Sequence, residues 1–405
     1  MSLIPILFAV FIDSLGFGLV IPIFSPLIVN NEAEMFGDGV SLAVRGLIFG
    51  LLVSSFCVGQ FFAGPVLGTL SDRKGRKKIL VATIWLAILG YLIAACGIWL
   101  KSLAMLFSAR LLCGIAAGNF GVAQSFVANQ YEEKERAKNF GLVGMAWWTG
   151  FIVGPYVGGK LAYFGHVAPF AAAACLCLLS VLLLMAKMQE NPLELAKEEK
   201  PVNFFAGALQ VKKAFQLPHL RGLFIVMFVV NFGWGFFTEF SPIFLIRYWE
   251  FDLEQIANFY AWLGLWIALC QGLLMRPFVK KISLENVLVI ALFSMGALLP
   301  LMLWMERSRG MFWLIPLIAF AEALIFPTAA TLVSNWSRKE VQGEILGIHN
   351  AVQWAAIGIT PMFSGSLVAL YPHLPVTIGS IAMFCAFILA LWFFRKKRQM
   401  VSEEL

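Results

Sequence analysis

Long apolar runs, separated by short polar or basic segments, cover nearly the whole of the 405-residue chain. A helix needs about 20 apolar residues to cross a hydrocarbon core roughly 30 Å thick, and these runs have that length. They are continuous rather than alternating between apolar and polar residues, which argues against a membrane β-barrel. The pattern predicts an all-α membrane protein with 12 transmembrane helices. The predicted spans are 3–29, 45–69, 79–99, 103–130, 140–163, 167–187, 221–246, 256–277, 286–305, 311–335, 343–370 and 374–394.

Composition agrees with lipid as the surrounding medium. The chain is 60% hydrophobic and 13% charged, with a mean hydropathy of +0.84, values far from those of water-soluble domains. The first span lacks a basic leader and carries Asp13, so we interpret it as a retained helix rather than a cleaved signal peptide. The seven cysteines lie in apolar runs without the spacing of metal ligands, and we expect neither a metal nor a cofactor.

The distribution of basic residues predicts the orientation in the membrane. Segments that follow the even-numbered spans, together with the C-terminal tail, hold 23 Lys and Arg residues, whereas segments on the other side hold six. Because cytoplasmic loops are enriched in Lys and Arg, we predict a protein of the inner (cytoplasmic) membrane with both termini in the cytoplasm. The net charge of +7 is spread over short loops rather than one folded face, so we expect no nucleic-acid partner.

The one long polar stretch lies midway along the chain, at 188–220, and we interpret it as a cytoplasmic linker. It separates two six-helix halves, 1–187 and 221–405, the second of which ends in a short basic cytoplasmic tail. A weak internal repeat supports this division, since Gly141, Trp148, Pro155, Gly159 and Leu161 recur with the same spacing as Gly347, Trp354, Pro361, Gly365 and Leu367. Duplicated halves are typical of secondary transporters whose site lies near the bilayer midplane.

Ionisable residues within the predicted spans are candidate transport residues, because a charge at mid-bilayer costs at least about 2.5 kcal/mol on insertion scales. Asp13 and Glu322 lie near the middle of spans 1 and 10, and Glu239 lies nearer the outer end of span 7. Burial favours the neutral form of a carboxyl group, so these acids could bind and release protons. Arg110, about two turns into span 4, stays charged and would act by pairing with a carboxylate.

Each of these positions also has a structural explanation. Asp13 could be a structural carboxylate held by nearby backbone donors, and Glu239 could extend to the outer surface. His349, early in span 11, could belong to a proton relay or be a structural histidine. We expect Lys160, close to a span end, only to favour that helix terminus.

The loop between spans 2 and 3 combines glycines with charged residues, namely Gly68, Asp72, Arg73, Gly75 and Arg76. Gly68 permits a close helix approach, Gly75 permits a tight turn, and Asp72 can meet a helix N-terminus or an arginine. The loop resembles the signature loop of the major facilitator superfamily at nearly every defined position. This resemblance implies the major facilitator fold, with two pseudo-symmetric six-helix bundles and this loop as a cytoplasmic gate.

Two further motifs narrow the resemblance. Arg110 is followed by Gly114 and Gly118, which resembles the span 4 motif of proton-coupled members, where the arginine is implicated in proton transfer. Span 5 carries small residues and a proline at Gly150, Gly154, Pro155, Gly158 and Gly159. Small residues let helices pack tightly, and this motif resembles the one typical of antiporters in the superfamily. The chain as a whole is similar to the 12-span drug:proton antiporters, which include the tetracycline exporters.

The departures from the tetracycline exporters concern the membrane acids. Span 3 lacks the acid that those exporters carry, span 9 lacks an internal acid, and span 8 lacks a histidine, whereas acids occur in spans 7 and 10. These differences argue against tetracycline as the substrate. Residues that would line a substrate cavity are Asn119, Gln124, Asn231, Trp234, His349 and Gln353.

The sequence therefore predicts a secondary active transporter rather than an enzyme. We expect a monomeric, proton-coupled antiporter that exports a small, amphipathic molecule by alternating access, with protons and the lipid bilayer as its other partners. The residues predicted to couple protons are Asp13, Glu239, Glu322 and Arg110. The alternatives are a proton-coupled symporter importing a nutrient, a dedicated exporter of an endogenous metabolite such as a siderophore, and a transport-inactive sensor or scaffold.

Overall fold

The computed structural model describes residues 3–30, 35–37, 39–130, 133–188, 205–275, 281–305, 308–337 and 342–403. Every regular element in these residues is helical, which confirms the predicted all-α class. The helices are α1 (Ile4–Phe24), α2 (Leu42–Lys74), α3 (Arg76–Trp99), α4 (Leu103–Ala116), α5 (Asn119–Gln130), α6 (Glu133–Ala162), α7 (Ala168–Lys187), α8 (Ala206–Gln216), α9 (Pro218–Trp249), α10 (Leu253–Leu269), α11 (Leu284–Trp304), α12 (Ser308–Asn335), α13 (Gln342–Leu370) and α14 (Leu374–Glu403). Two π-helical turns, Ser25–Val29 and Cys270–Leu274, continue α1 and α10.

Each predicted span overlaps a helix. Within the described ranges, eight helical stretches are long and apolar enough to cross a membrane: Leu42–Ser71, Arg76–Trp99, Leu103–Ala123, Ala168–Lys187, Pro218–Trp249, Leu284–Trp304, Gly310–Asn335 and Leu374–Lys397. The count of 12 crossings stays a prediction. Within the stretch Leu103–Ala123 a two-residue turn at Ala117 and Gly118 separates α4 from α5, where the sequence predicted one uninterrupted helix.

The chain divides into two compact units. Unit 1 comprises Met1–Gly207 with Phe251–Gly264, and unit 2 comprises Ala208–Glu250 with Leu265–Leu405. In unit 1, α1 packs mainly on α6, α2 packs on α4, and α3 packs on α4 and α7. In unit 2, α9 packs on α13 and α14, and α11 packs on α12 and α14. Within the predicted linker, α8 is helical, and residues 189–204 lie outside the described ranges.

Serine and glycine residues set several helix ends. Ser41, Ser102 and Ser283 precede α2, α4 and α11, and each Oγ accepts a hydrogen bond from the backbone N–H three residues later, at 3.4–3.5 Å. Each bond satisfies an N–H that the first helical turn leaves unpaired. Between α2 and α3 the chain turns at Gly75, whose φ of 97° lies in a region that glycine adopts without strain. The predicted tight turn at Gly75 is confirmed.

Candidate functional site

Asp13 is buried in α1, with 8% of its surface exposed. The side-chain amide of Asn119, at the start of α5, donates a hydrogen bond from Nδ2 to Asp13 Oδ2 at 3.0 Å. The other end of the same amide, Oδ1, lies against the Thr83 hydroxyl of α3, which donates to it. We call Asp13, Asn119 and Thr83 the Asp13 cluster. The described partner of Asp13 is therefore a side-chain amide 106 residues away, and not the nearby backbone that the structural alternative proposed.

The Asp13 cluster adjoins an interruption in span 4. The helix α4 ends at Ala116 and α5 begins at Asn119, so Ala117 and Gly118 form a turn within the predicted span. The Nε2 of Gln60, on α2, donates to Ala117 O at 3.4 Å. The Ala117 N–H still donates to Cys113 O at 2.9 Å, so the turn is a short departure from the helix in which Ala117 O is bound by a side chain. Transporters use interrupted helices to build binding sites. Nothing in the apolar pattern of span 4 predicted this interruption.

The span 4 motif brings α4 against α2. Arg110 is 4% exposed, and its Nε donates to Leu52 O at 3.4 Å. Its guanidinium lies 4.5 Å from the centre of the Phe56 ring, a cation–π contact of about 0.5–2 kcal/mol. A Cβ at Gly114 would overlap the Phe56 backbone, so the glycine permits this approach. The motif therefore places a permanent positive charge between two helices of unit 1.

The span 5 motif packs α6 against α1. Gly150, Gly154 and Gly158 face the α1 backbone, and a Cβ at Gly154 would lie only 2.5 Å from Leu15 O. The other motif residues, Pro155 and Gly159, are buried in the same helix. Because the two backbones are in contact, α6 fixes the position of the helix that carries Asp13.

Four partly exposed aromatic residues of α5 and α6 contact one another, and we call them the aromatic wall: Phe120, Trp147, Trp148 and Phe151. The rings of Trp147 and Phe151 are stacked, with 5.8 Å between centres and 7° between planes. The Phe120 ring meets Trp147 edge-on at 6.2 Å. Ser14, next to Asp13 in α1, donates from its Oγ to Trp147 O, so the backbone that carries Trp147 contacts α1 one residue from Asp13. The sequence motifs do not mark these residues as a site, although the adjacent Trp147 and Trp148 are an available signal.

The loop between α2 and α3, which the resemblance predicted to be a cytoplasmic gate, differs from expectation at one position. A Cβ at Gly68 would meet no heavy atom of the described residues within 4 Å, so Gly68 makes no close approach to a described helix. Arg76 is buried and Arg73 is half-buried, whereas the Asp72 side chain lies outside the described part of the chain.

Lys77, which the sequence did not single out, connects the start of α3 to α7. Its Nζ donates to Met185 O at 2.9 Å and to Met188 O at 2.6 Å. Carbonyl groups at a helix C-terminus carry partial negative charge and attract cations. Lys77 therefore connects the start of α3 to the end of α7.

Two carboxyl groups of unit 2 are buried. Glu322, on α12, has no exposed surface, and neither of its carboxyl oxygens has a hydrogen-bond partner among the described residues. An ionised carboxylate in such a setting is costly. Glu239, on α9, is 3% exposed, so the alternative in which it extends to the outer surface is wrong.

The remaining cavity candidates are mostly buried. In unit 2, Asn231 donates from Nδ2 to Met227 O of its own helix at 2.7 Å, and Trp234 is buried beside it. His349 Nε2 lies 3.3 Å from Gln353 Nε2. Asn119 belongs to the Asp13 cluster, and the Gln124 side chain lies outside the described part of the chain.

An exposed ion pair lies at the end of α6. Lys160 Nζ contacts Glu254 Oε1 of α10, and the Tyr163 hydroxyl donates to Glu254 Oε2 at 3.0 Å. The hydrogen bond from Lys160, followed by that from Tyr163, lowers the pKa of Glu254. Lys160 therefore pairs with an acid, where the sequence suggested only an effect on its own helix end.

Comparisons with known proteins agree with this architecture. The family model of the Major Facilitator Superfamily matches residues 6–319 and 272–404. The tetracycline resistance protein, class C, of Escherichia coli is 28% identical over 349 residues, or 85% of this chain and 84% of that protein. Multidrug resistance protein 2 of Bacillus subtilis (strain 168) is 26% identical over 395 residues, or 96% of this chain and 94% of that protein. A crystal structure of a D-xylose–proton symporter, 16% identical, aligns with a TM-score of 0.75 and 97% coverage of both chains, which shows a shared fold.

Proposed function

The chain belongs to the Major Facilitator Superfamily and is a multi-pass membrane transporter, and we propose that it is a proton-coupled antiporter exporting a small, amphipathic molecule. The family predicted from the gate loop and the span motifs is thereby confirmed. The proposal adds proton coupling, the outward direction and the class of cargo. It also keeps the predicted inner-membrane location, cytoplasmic termini and monomeric state.

The observation that carries the proposal is the buried hydrogen bond between Asp13 and Asn119. An acid inside a membrane helix is expensive, and its usual reason is a transport pathway. Here the carboxyl group is hydrogen-bonded to Asn119, the first residue of α5 after the turn in span 4, and the neighbouring Ser14 contacts the backbone that carries Trp147. A proton can bind Asp13 Oδ2 from one side of the membrane and leave it toward the other. The carboxylate is then available to a cationic or hydrogen-bond-donating part of the cargo while Asp13 is deprotonated.

The class of cargo is inferred from the aromatic wall and from the relatives. Stacked and edge-on rings offer apolar faces with a negative quadrupole, which suits aromatic or amphipathic molecules. The two relatives described above are named for resistance to tetracycline and to multiple drugs. A transporter confers resistance by lowering the drug concentration in the cell, and this supports export.

Glu322 is the second acid in the proposal. Neither of its carboxyl oxygens has a hydrogen-bond partner among the described residues, so a change in its proton occupancy alters the local electrostatics strongly. Both acids therefore take part in proton coupling, Asp13 in unit 1 and Glu322 in unit 2.

The test uses purified protein in liposomes with an imposed pH gradient and ethidium, a planar aromatic cation, as the probe. We expect gradient-driven ethidium movement in the wild type, and loss to the empty-liposome background in Asp13→Asn. Glu322→Gln should reduce the rate while the protein stays folded. Asp252→Asn, an exposed acid outside the predicted spans, is the matched control and should retain the wild-type rate. Full activity in both membrane-acid variants, or no gradient-driven movement by the wild type, would contradict the proposal.

A further inference from the structure

We propose that Asn119 and Thr83 act as positioning residues in a hydrogen-bond switch that accommodates Asp13 in both its ionised and its protonated form. The inference rests on the proposed function, in which Asp13 binds and releases a proton. It adds two residues and a defined rearrangement to that function.

The geometry of Asn119 allows two arrangements of its amide group. Nδ2 faces Asp13 and Oδ1 faces Thr83, so the amide lies between an acid and a hydroxyl. A turn of 180° about the last side-chain bond exchanges the donor and the acceptor and moves neither neighbour. Asn119 is fully buried, so water does not take over either bond.

Thr83 has the same freedom. Its Oγ1 lies within hydrogen-bond distance of Asn119 Oδ1 and also 2.9 Å from both Ile79 O and Leu80 O of its own helix. A hydroxyl group carries one hydrogen, so it donates to one of these three acceptors at a time. When it donates to the helix backbone, its oxygen is left to accept a hydrogen bond.

With Asp13 ionised, the carboxylate needs a donor. Asn119 Nδ2 supplies one, and Asn119 Oδ1 accepts from the Thr83 hydroxyl. This is the arrangement in the structure.

With Asp13 protonated, its O–H becomes a donor and needs an acceptor. The amide turns so that Asn119 Oδ1 accepts from Asp13, and Asn119 Nδ2 donates to Thr83 Oγ1. The Thr83 hydrogen turns to Ile79 O or Leu80 O. The Asp13 carboxyl group, the Asn119 carbonyl oxygen and the Thr83 hydroxyl group each keep a hydrogen-bond partner in both states, and one N–H of the Asn119 amide does so too. The only atom gained or lost is the proton on Asp13. The switch thus avoids the penalty of a buried unpaired group at each step of the transport cycle.

Other ionisable groups face Asp13 from the packed helices. Tyr91 of α3, Cys113 of α4 and Cys177 of α7 are close enough to interact electrostatically with it, and Arg110 of α4 interacts with Tyr91 and Cys113. Tyrosine and cysteine side chains are ordinarily neutral near pH 7, so Arg110 is the permanent charge in this set. The described side chains of α5 carry no ionisable group, and Lys160 of α6 pairs with Glu254. None of these groups takes part in the two arrangements of the amide.

The experiment is an infrared titration of the purified protein in lipid vesicles, with asparagine side-chain carbonyls labelled with carbon-13. Asp13→Asn identifies the acid band of Asp13, and Asn119→Leu identifies the carbonyl band of Asn119. In Thr83→Val, the Asn119 carbonyl loses its donor only while Asp13 is ionised. Its band should therefore move to higher wavenumber at high pH and coincide with the wild-type band at low pH. Thr83→Ser should behave as the wild type throughout.

Thr328→Val is the matched control, because Thr328 is fully buried and its hydroxyl has no hydrogen-bond partner among the described residues. Thr83→Ala provides a second variant without the hydroxyl if valine disturbs folding. An equal shift of the Asn119 band at both ends of the titration shows that the amide does not turn and overturns the switch. Absence of any Asp13 acid band overturns the switch together with Asp13 as the proton site. The liposome assay separately decides whether transport is proton-driven.

Discussion

The contact between α1 and α6 leads to a quantitative prediction about Gly154. A Cβ at this position would lie 2.5 Å from Leu15 O and 2.8 Å from Leu19 N. Non-bonded heavy atoms prefer separations of about 3.5 Å or more, so Gly154→Ala must push the two helices apart by about 1 Å. Both of these atoms belong to the backbone of α1, so no side-chain rotation can relieve the overlap.

The cost of this displacement follows from overpacking. Extra atoms in a well-packed interior destabilise by about 1–3 kcal/mol. Alanine also favours a helix over glycine by about 1 kcal/mol, which partly offsets the loss. Gly144→Ala, on the same helix, gains the same helical preference, but its Cβ would meet nothing within 4 Å. The difference between the two variants therefore isolates the steric cost, which we expect to be about 1–3 kcal/mol.

The assay is reversible unfolding of the purified protein by sodium dodecyl sulfate in mixed micelles, followed by tryptophan fluorescence. Gly154→Ala should unfold at lower detergent fraction than the wild type, and Gly144→Ala at the same fraction or higher. Because a shift of about 1 Å exceeds the tolerance of the 3.0 Å hydrogen bond between Asn119 and Asp13, Gly154→Ala should also slow ethidium transport. Free energies of unfolding that agree within about 0.5 kcal/mol, the range of ordinary surface changes, would refute the reasoning.

Two further predictions concern lysine side chains that bind groups near helix ends. The hydrogen bond from Lys160 lowers the pKa of Glu254, so the pair stabilises the protein above the unfolded pKa of Glu254 and loses this effect as pH falls through the lowered value. The thermal midpoint of the wild type should fall more than that of Glu254→Gln on acidification, and parallel profiles would contradict this. Lys77→Met removes a cation from the C-terminal carbonyls of α7 and should destabilise by about 0.3–1 kcal/mol. The exposed Lys78→Met is its control in the same unfolding titration, and equal stability of the two variants would count against the Lys77 contact.

The helices were predictable because lipid offers the backbone no hydrogen-bond partners. Backbone groups in hydrocarbon must pair within their own segment, so the length of an apolar run is enough to predict a helix. The interruption at Ala117 was not predictable in this way, because no proline or polar run marks it. Its backbone is satisfied by Gln60, on a different helix.

The residues of the candidate site likewise fall into those that the sequence alone predicts and those that only the packing of the helices brings together. Asp13 was predictable as a functional acid because its position alone makes it costly. Its partner was not, because Asn119 reaches it only through the packing of α1, α3 and α5. The glycines of span 5 were predictable as a packing motif. Gly68 is also a glycine of a recognisable motif, but no described atom lies within 4 Å of the position its Cβ would take. The presence of a glycine therefore does not by itself show which helix packs against it.

The bond between Gln60 and Ala117 O has a consequence for the evolution of this protein. The turn that separates α4 from α5 is tolerable in lipid while a side chain of α2 reaches its carbonyl group. A mutation that removes the Gln60 amide leaves Ala117 O without this hydrogen bond. A continuous helix through span 4 would supply a backbone N–H in its place. Homologues should therefore fall into two groups, those with an amide or hydroxyl at this position and an interrupted span, and those with an apolar residue and a continuous one. The two features should be inherited together, although they lie 57 residues apart in the chain.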